Sequence, residues 1–119
     1  MTVTGERSTE APTTADRAQP MTGGEAVART LENMGVTKVF SIVSVHNLPI
    51  YKALVASDQI EVVACRHEQF AAHAADGYAR ATGNLGVALT STGPGTTNAV
   101  SGLFEGCSGS SPLLVITGQ

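Results

Sequence analysis

Residues 66–83 read RHEQFAAHAADGYARATG, and six of these residues are alanine. Alanine is the strongest helix former, so the stretch predicts a helix from His67 to Thr82, with Gly83 and Asn84 closing it. A helix this poor in bulky side chains gains stability by letting its neighbours approach closely, so it is expected to be packed rather than exposed. On its N-terminal side, residues 60–64 (IEVVA) are apolar and β-branched, and on its C-terminal side GVALTS occupies residues 86–91. Both read as strands.

The same alternation extends outward in both directions. Toward the N-terminus, Val36 to Val43 is a short buried strand bounded by Gly35. It is followed by a helix that Asn47 is placed to cap, with Pro49 in its first turn and an end near Ser57 and Asp58. Before that strand, Thr22 and Glu25 have capping-box spacing, and Val27, Leu31 and Met34 recur on one face of a helix over residues 23–34. Toward the C-terminus, Thr92-Gly93-Pro94-Gly95 leads into a helix from about Thr96 to Cys107, and PLLVIT at 112–117 is a fourth strand. Strands alternating with helices over such connections predict an α/β fold, a parallel sheet flanked by helices on both faces. No internal repeat is visible.

At 119 residues, one domain is the ceiling. Residues 1–20 contain no aliphatic residue after Val3 other than alanine and are expected to form a disordered tail, leaving residues 21–119 as the domain. No signal peptide and no apolar run of about 18 residues is present, so a membrane is not an expected partner and a cytoplasmic protein is expected. The formal net charge is -3 with seven scattered basic residues, which leaves no stripe for nucleic acid. Cys65 and Cys107 lack metal or redox spacing and are expected to be buried small residues.

Two motif readings fail on geometry. HEQFAAH at 67–73 has a superficial likeness to a zinc-protease helix. Its histidines are six residues apart, about 600° of helical turn, so His67 and His73 face different directions. GPGTTN at 93–98 follows a strand and opens a helix, as a dinucleotide fingerprint does, but Asn98 stands at the third glycine position. It also lacks the lysine of a phosphate-binding P-loop. Read alone, it is a tight turn packing a helix on a strand, with Asn98 either a ligand contact or a helix cap.

Four pieces in order, HNLPIYKAL at 46–54, RHEQFAAHAADGYARATG at 66–83, TSTGPGTTNAVSGL at 90–103 and SPLLVITGQ at 111–119, resemble the N-terminal pyrimidine-binding domain of thiamine diphosphate-dependent enzymes of the acetolactate synthase type. The resemblance implies that Glu68 hydrogen-bonds the aminopyrimidine ring of thiamine diphosphate and is the catalytic carboxyl, with Phe70 and Ala71 as its expected apolar cover. It further implies that Pro94, Gly95 and Asn98 lie beside the pyrimidine, with Val43 and Ser44 on a neighbouring loop that reaches the cofactor. It implies a carboligase or decarboxylase of pyruvate or a related 2-oxo acid. Mg²⁺ and the diphosphate would be held by a domain of a second subunit in a homodimer or homotetramer, with FAD present in some relatives.

The chain departs from this pattern at Ser41-Ile42-Val43-Ser44-Val45, where relatives carry a glycine- and proline-rich turn. Four strands are read where the family's pyrimidine domain has six, so the sheet is expected to be incomplete. The alternative reading is a non-catalytic truncated product, or a small subunit that needs a separate diphosphate-binding partner.

Overall fold

The computed structural model describes residues 20–118. The expected tail lies outside those residues apart from Pro20. Thr22 caps helix α1 (Gly23–Asn33) reciprocally: its hydroxyl accepts from the Glu25 N–H at 3.3 Å, and the Glu25 carboxylate accepts from the Thr22 N–H at 2.8 Å. Strand β1 (Lys38–Ser41) follows, then α2 (Leu48–Val55), β2 (Glu61–Ala64), α3 (Glu68–Thr82), β3 (Gly86–Thr90), α4 (Pro94–Ser108) and β4 (Leu113–Thr117). All four strands are parallel, in the order β2-β1-β3-β4. This is the α/β architecture that the alternating pattern predicts.

The period-2 alternation of the strands divides the core into two layers. On one face Val39, Val87 and Leu89 meet Ala28 and Leu31 of α1 and Leu54 of α2, with Leu114 and Ile116 at the margin. On the other, Ala88, with Phe40, Leu113 and Val115, packs against Ala71 and Ala75 of α3. Leu54, Leu89, Val39 and Val87 are fully buried, each worth about 1.5–3 kcal/mol of hydrophobic stabilisation. Helix α4 lies beside α3, with Gly102 facing Ala72, so the alanine-rich helix is clasped between the sheet and a second helix.

Several boundaries differ from the sequence reading. Strand β1 is shorter than Val36–Val43, because the chain turns out of the ladder after Ser41. Helix α2 ends at Val55, and α4 begins at Pro94 rather than near Thr96, since a proline is admitted in the first turn. Met34 is exposed, as the C-cap of α1. Cys65 is half-buried, but Cys107 is exposed: Gly106 takes the inward position on α4, and the next residue points away. Among the described residues, no helix is long and apolar enough to cross a membrane.

A buried carboxylate ties the second layer together. Asp76 of α3 is only 6% exposed and accepts hydrogen bonds from the Ser111 hydroxyl and from Arg80 Nε, the latter at 2.8 Å. Arg80 Nη2 also donates to the Glu105 carbonyl at 2.8 Å, near the end of α4. The Ser111 hydroxyl bond, helped by Arg80 and by the charge of His73, holds the Asp76 carboxyl below its ordinary value of 3.8 against the opposing effect of burial. A lowered folded-state pKa stabilises the fold above the unfolded value, and that contribution is lost as pH falls through the folded value. Melting temperature measured across acid pH is therefore expected to fall more steeply below 3.8 in the native sequence than in Asp76→Asn, which has no proton to gain. Parallel curves for the two proteins would remove Asp76 from the acid transition.

Candidate functional site

The strand order fixes where a ligand can enter. The chain leaves β1 for β2 on one side, and β3 lies on the other side of β1. The turns after β1 and β3 therefore diverge from neighbouring strand ends. In open parallel sheets this switch point, at the carboxyl edge, is where ligands bind. Helices α3 and α4 both start at this edge, and their N-terminal N–H groups favour negative charge there.

Glu68 is the first residue of α3 and is half-buried. His67 caps the helix through ring Nδ1, which accepts from the Gln69 N–H at 3.2 Å, so the backbone carrying Glu68 is held at its first turn. Asn98, in the second turn of α4, donates its amide to Glu68 Oε2 at 3.3 Å. The other carboxyl oxygen faces Gly95: a β-carbon at position 95 would lie 2.7 Å from Glu68 Oε1 and 2.8 Å from Ser91 Cβ. Only glycine leaves that space open. Gly93 makes the turn itself, with φ 56° and ψ -115°, a conformation that other residues adopt only with strain. Pro94 opens α4 from an exposed position beside Gly95.

Glu68, Gly95 and Asn98 are thus brought into contact, with Pro94 adjoining them. Val43 and Ser44 lie on the neighbouring turn after β1, Val43 exposed and Ser44 half-buried. Among the described residues, neither makes a hydrogen bond to Glu68. The Asn98 side chain does not cap α4; it reaches across to α3. Phe70 is not a cover for the carboxyl: it is 64% exposed, with its ring centroid 5.7 Å from that of His67, while Ala71 is buried. Among the described residues, no three His, Cys, Asp or Glu side chains gather into a metal site.

Asn47 stands at the N-cap position of α2, as the sequence predicts, but its side chain takes another direction. It makes no side-chain cap on α2. Instead its fully buried amide donates to the Ile42 carbonyl at 2.8 Å and the Thr90 carbonyl at 3.1 Å, while Oδ1 accepts from the Ser44 N–H at 2.8 Å. It points back into the switch point, where its two N–H groups meet the Ile42 carbonyl and the Thr90 carbonyl, the latter also accepting from the Gly118 N–H at 3.4 Å. Ser91, which lines the space beside Gly95, was missed, and its position at the end of a predicted strand was the available signal. Two grooves elsewhere, between α1 and α2 and between α1 and β4, contain none of Glu68, Gly95 or Asn98.

Residues 21–119 match the family described as thiamine pyrophosphate enzyme, N-terminal TPP binding domain. The chain belongs to this family. Its four-stranded parallel sheet with flanking helices is consistent with that thiamine pyrophosphate-binding domain. A probable acetolactate synthase large subunit of Methanocaldococcus jannaschii is 46% identical over 99 residues, covering 83% of this chain and 17% of that protein. An acetolactate synthase of Mycobacterium bovis is 46% identical over 101 residues, covering 85% and 16%. A probable acetolactate synthase large subunit of Methanococcus aeolicus is 48% identical over 99 residues, covering 83% and 16%. The chain spans about a sixth of the length of these curated relatives.

The contact at Gly95 yields a direct test. Gly95→Ala is expected to push the Glu68 carboxyl off its position and to cost about 1–3 kcal/mol of stability, the usual cost of overpacking. Denaturant unfolding gives the stability, and a crystal structure of the variant gives the carboxyl position. An unmoved carboxyl with unchanged stability would show that the close approach is not a constraint.

Proposed function

We propose that this chain forms the pyrimidine-facing part of the active site of a thiamine diphosphate-dependent carboligase or decarboxylase acting on pyruvate or a related 2-oxo acid, with acetolactate synthesis the leading reaction. The observation that carries the proposal is the carboxyl of Glu68, held between the Asn98 amide and the open backbone of Gly95 at the switch point. The names of the relatives support the reaction class.

The donor set fits the aminopyrimidine half of thiamine diphosphate. A carboxyl has lone pairs on both oxygens, and Asn98 engages only one of them, so the group retains capacity to meet a ring nitrogen. The exposed Pro94 offers a flat apolar surface beside the carboxyl rather than a bulky side chain, as an aromatic ring requires. Val43 and Ser44 form the wall of the neighbouring turn. When bound, thiamine diphosphate supplies an acidic thiazolium carbon that adds to the carbonyl of a 2-oxo acid. Glu68 contributes by holding or releasing a proton at ring nitrogen N1′, a general acid–base role worth about 10² to 10⁴ in rate. Asn98 keeps the carboxyl in place while it does so.

In this reading Mg²⁺ and the diphosphate are held by the diphosphate-binding domain of a second subunit, in a homodimer or homotetramer, and FAD, where the complete enzyme uses it, lies outside these residues. Glu68→Gln preserves shape but cannot exchange the proton. In the full-length protein it is expected to cut turnover of 2-oxo acid by about 10² or more with an unchanged melting temperature. Deuterium exchange at the thiazolium carbon is expected to slow in parallel. Undiminished exchange in the variant would take Glu68 out of the chemistry.

A further inference from the structure

The turn that follows β1 presents a physical puzzle. Val43 is 53% exposed and Val45 83% exposed, so the turn gains little from burying its own apolar side chains. Yet the segment is anchored by a residue with no solvent contact at all, Asn47. Its three side-chain hydrogen bonds reach two different strand ends: Ile42 just past β1, and Thr90 at the end of β3. The third, from the Ser44 N–H, pins the middle of the turn. Ser44 Oγ accepts in return from the Asn47 N–H at 3.4 Å. On the far side, a β-carbon at Gly118 would lie 2.8 Å from His46 Cβ and 3.3 Å from the Asn47 backbone nitrogen, so the end of β4 abuts the same turn.

No other residue type supplies this combination at this size. Two donors are needed for the carbonyls and one acceptor for the amide, and the short asparagine side chain carries all three. Aspartate keeps the acceptor but offers no N–H, and it would set a carboxylate against two carbonyl oxygens. Leucine would fill the volume but remove all three bonds, leaving the Ser44 N–H without its acceptor and the Thr90 carbonyl with the longer bond from the Gly118 N–H at 3.4 Å.

We infer that Asn47 is a positioning residue: its buried amide straps the β1–α2 turn to the end of β3, and so fixes Val43 and Ser44 as one wall of the switch-point crevice on whose edge Glu68 stands. The inference rests on the proposed function for what the wall contacts, but not for the strap itself. The strap acts on the turn, and through the turn on the fit of the 2-oxo acid substrate. It touches neither substrate nor cofactor.

The test compares Asn47→Ala, Asn47→Asp and Leu31→Ala in the full-length protein. Leu31 is a buried core residue of α1 with no contact to the turn's hydrogen bonds, so it reports what general destabilisation does. Hydrogen–deuterium exchange read by mass spectrometry is expected to rise about tenfold in residues 42–47 of Asn47→Ala, the scale set by losing ordinary hydrogen bonds, with β3 still protected. In Asn47→Asp the turn also loosens, because the ties to Ile42 and Thr90 are gone. The KM for pyruvate is expected to rise several-fold in both Asn47 variants with kcat little changed, and to stay at the native value in Leu31→Ala. Exchange in residues 42–47 that stays at the native rate, or that rises equally across the whole sheet as in Leu31→Ala, would overturn the strap. If the native protein turns over no 2-oxo acid, the proposed reaction fails on that result, while the exchange pattern still decides the strap.

Discussion

The carboxyl of Glu68 is held from two directions, by an amide on one oxygen and by the absence of a side chain opposite the other. Both constraints come from α4, so the group depends on how closely α3 and α4 approach each other. That approach is set along the whole helix pair. Gly95 faces Glu68, Gly102 faces Ala72 and Gly106 lies against Leu113 and Asp76. The small residues are therefore a mechanical requirement: each bulky substitution along this seam would lever the helices apart and shift Asn98 from its partner. At the far end of the seam, Arg80 and Ser111 converge on Asp76 and lock the pair by polar contacts.

The sheet supplies the second requirement, a fixed edge for both helix starts. Four parallel strands bring every strand's carboxyl end to the same side, and the order β2-β1-β3-β4 parts the turns after β1 and β3. Where the two turns part, the Thr90 carbonyl keeps one long ladder bond, from the Gly118 N–H at 3.4 Å. Asn47 donates to it and to the Ile42 carbonyl, whereas, among the described residues, the hydroxyls of Ser41 and Thr90 at the same strand ends are buried without a hydrogen-bond partner. These two hydroxyls sit at the ends of the strands that the switch point separates.

Much of this was legible in the sequence because it rests on local chemistry. Alternating β-branched runs and alanine-rich stretches give the α/β order, Thr22 and Glu25 give the start of α1, and Gly83 gives the end of α3. The place of Glu68 at the start of α3 was legible because it opens a helix within a distinctive block. What sequence could not give was the direction of a side chain with two chemically equal choices. Asn47 could cap α2 or turn back into the strand ends, and Asn98 could cap α4 or reach α3; the Asn98 partner lies 30 residues away, and one of the three Asn47 partners lies 43 away. Phe70 and Cys107 failed for a related reason. Apolar character predicts burial only on average, and a helix pair this closely packed reserves its inward positions for alanine and glycine.

The most direct measurement is a crystal structure of the full-length protein grown with thiamine diphosphate and Mg²⁺. If Glu68 serves the pyrimidine ring, one of its carboxyl oxygens lies within hydrogen-bond distance of N1′, about 2.6–3.2 Å, while Asn98 keeps the other. A cofactor seated with its pyrimidine away from Glu68, or a Glu68 carboxyl bonded to Asn98 alone, would contradict that role.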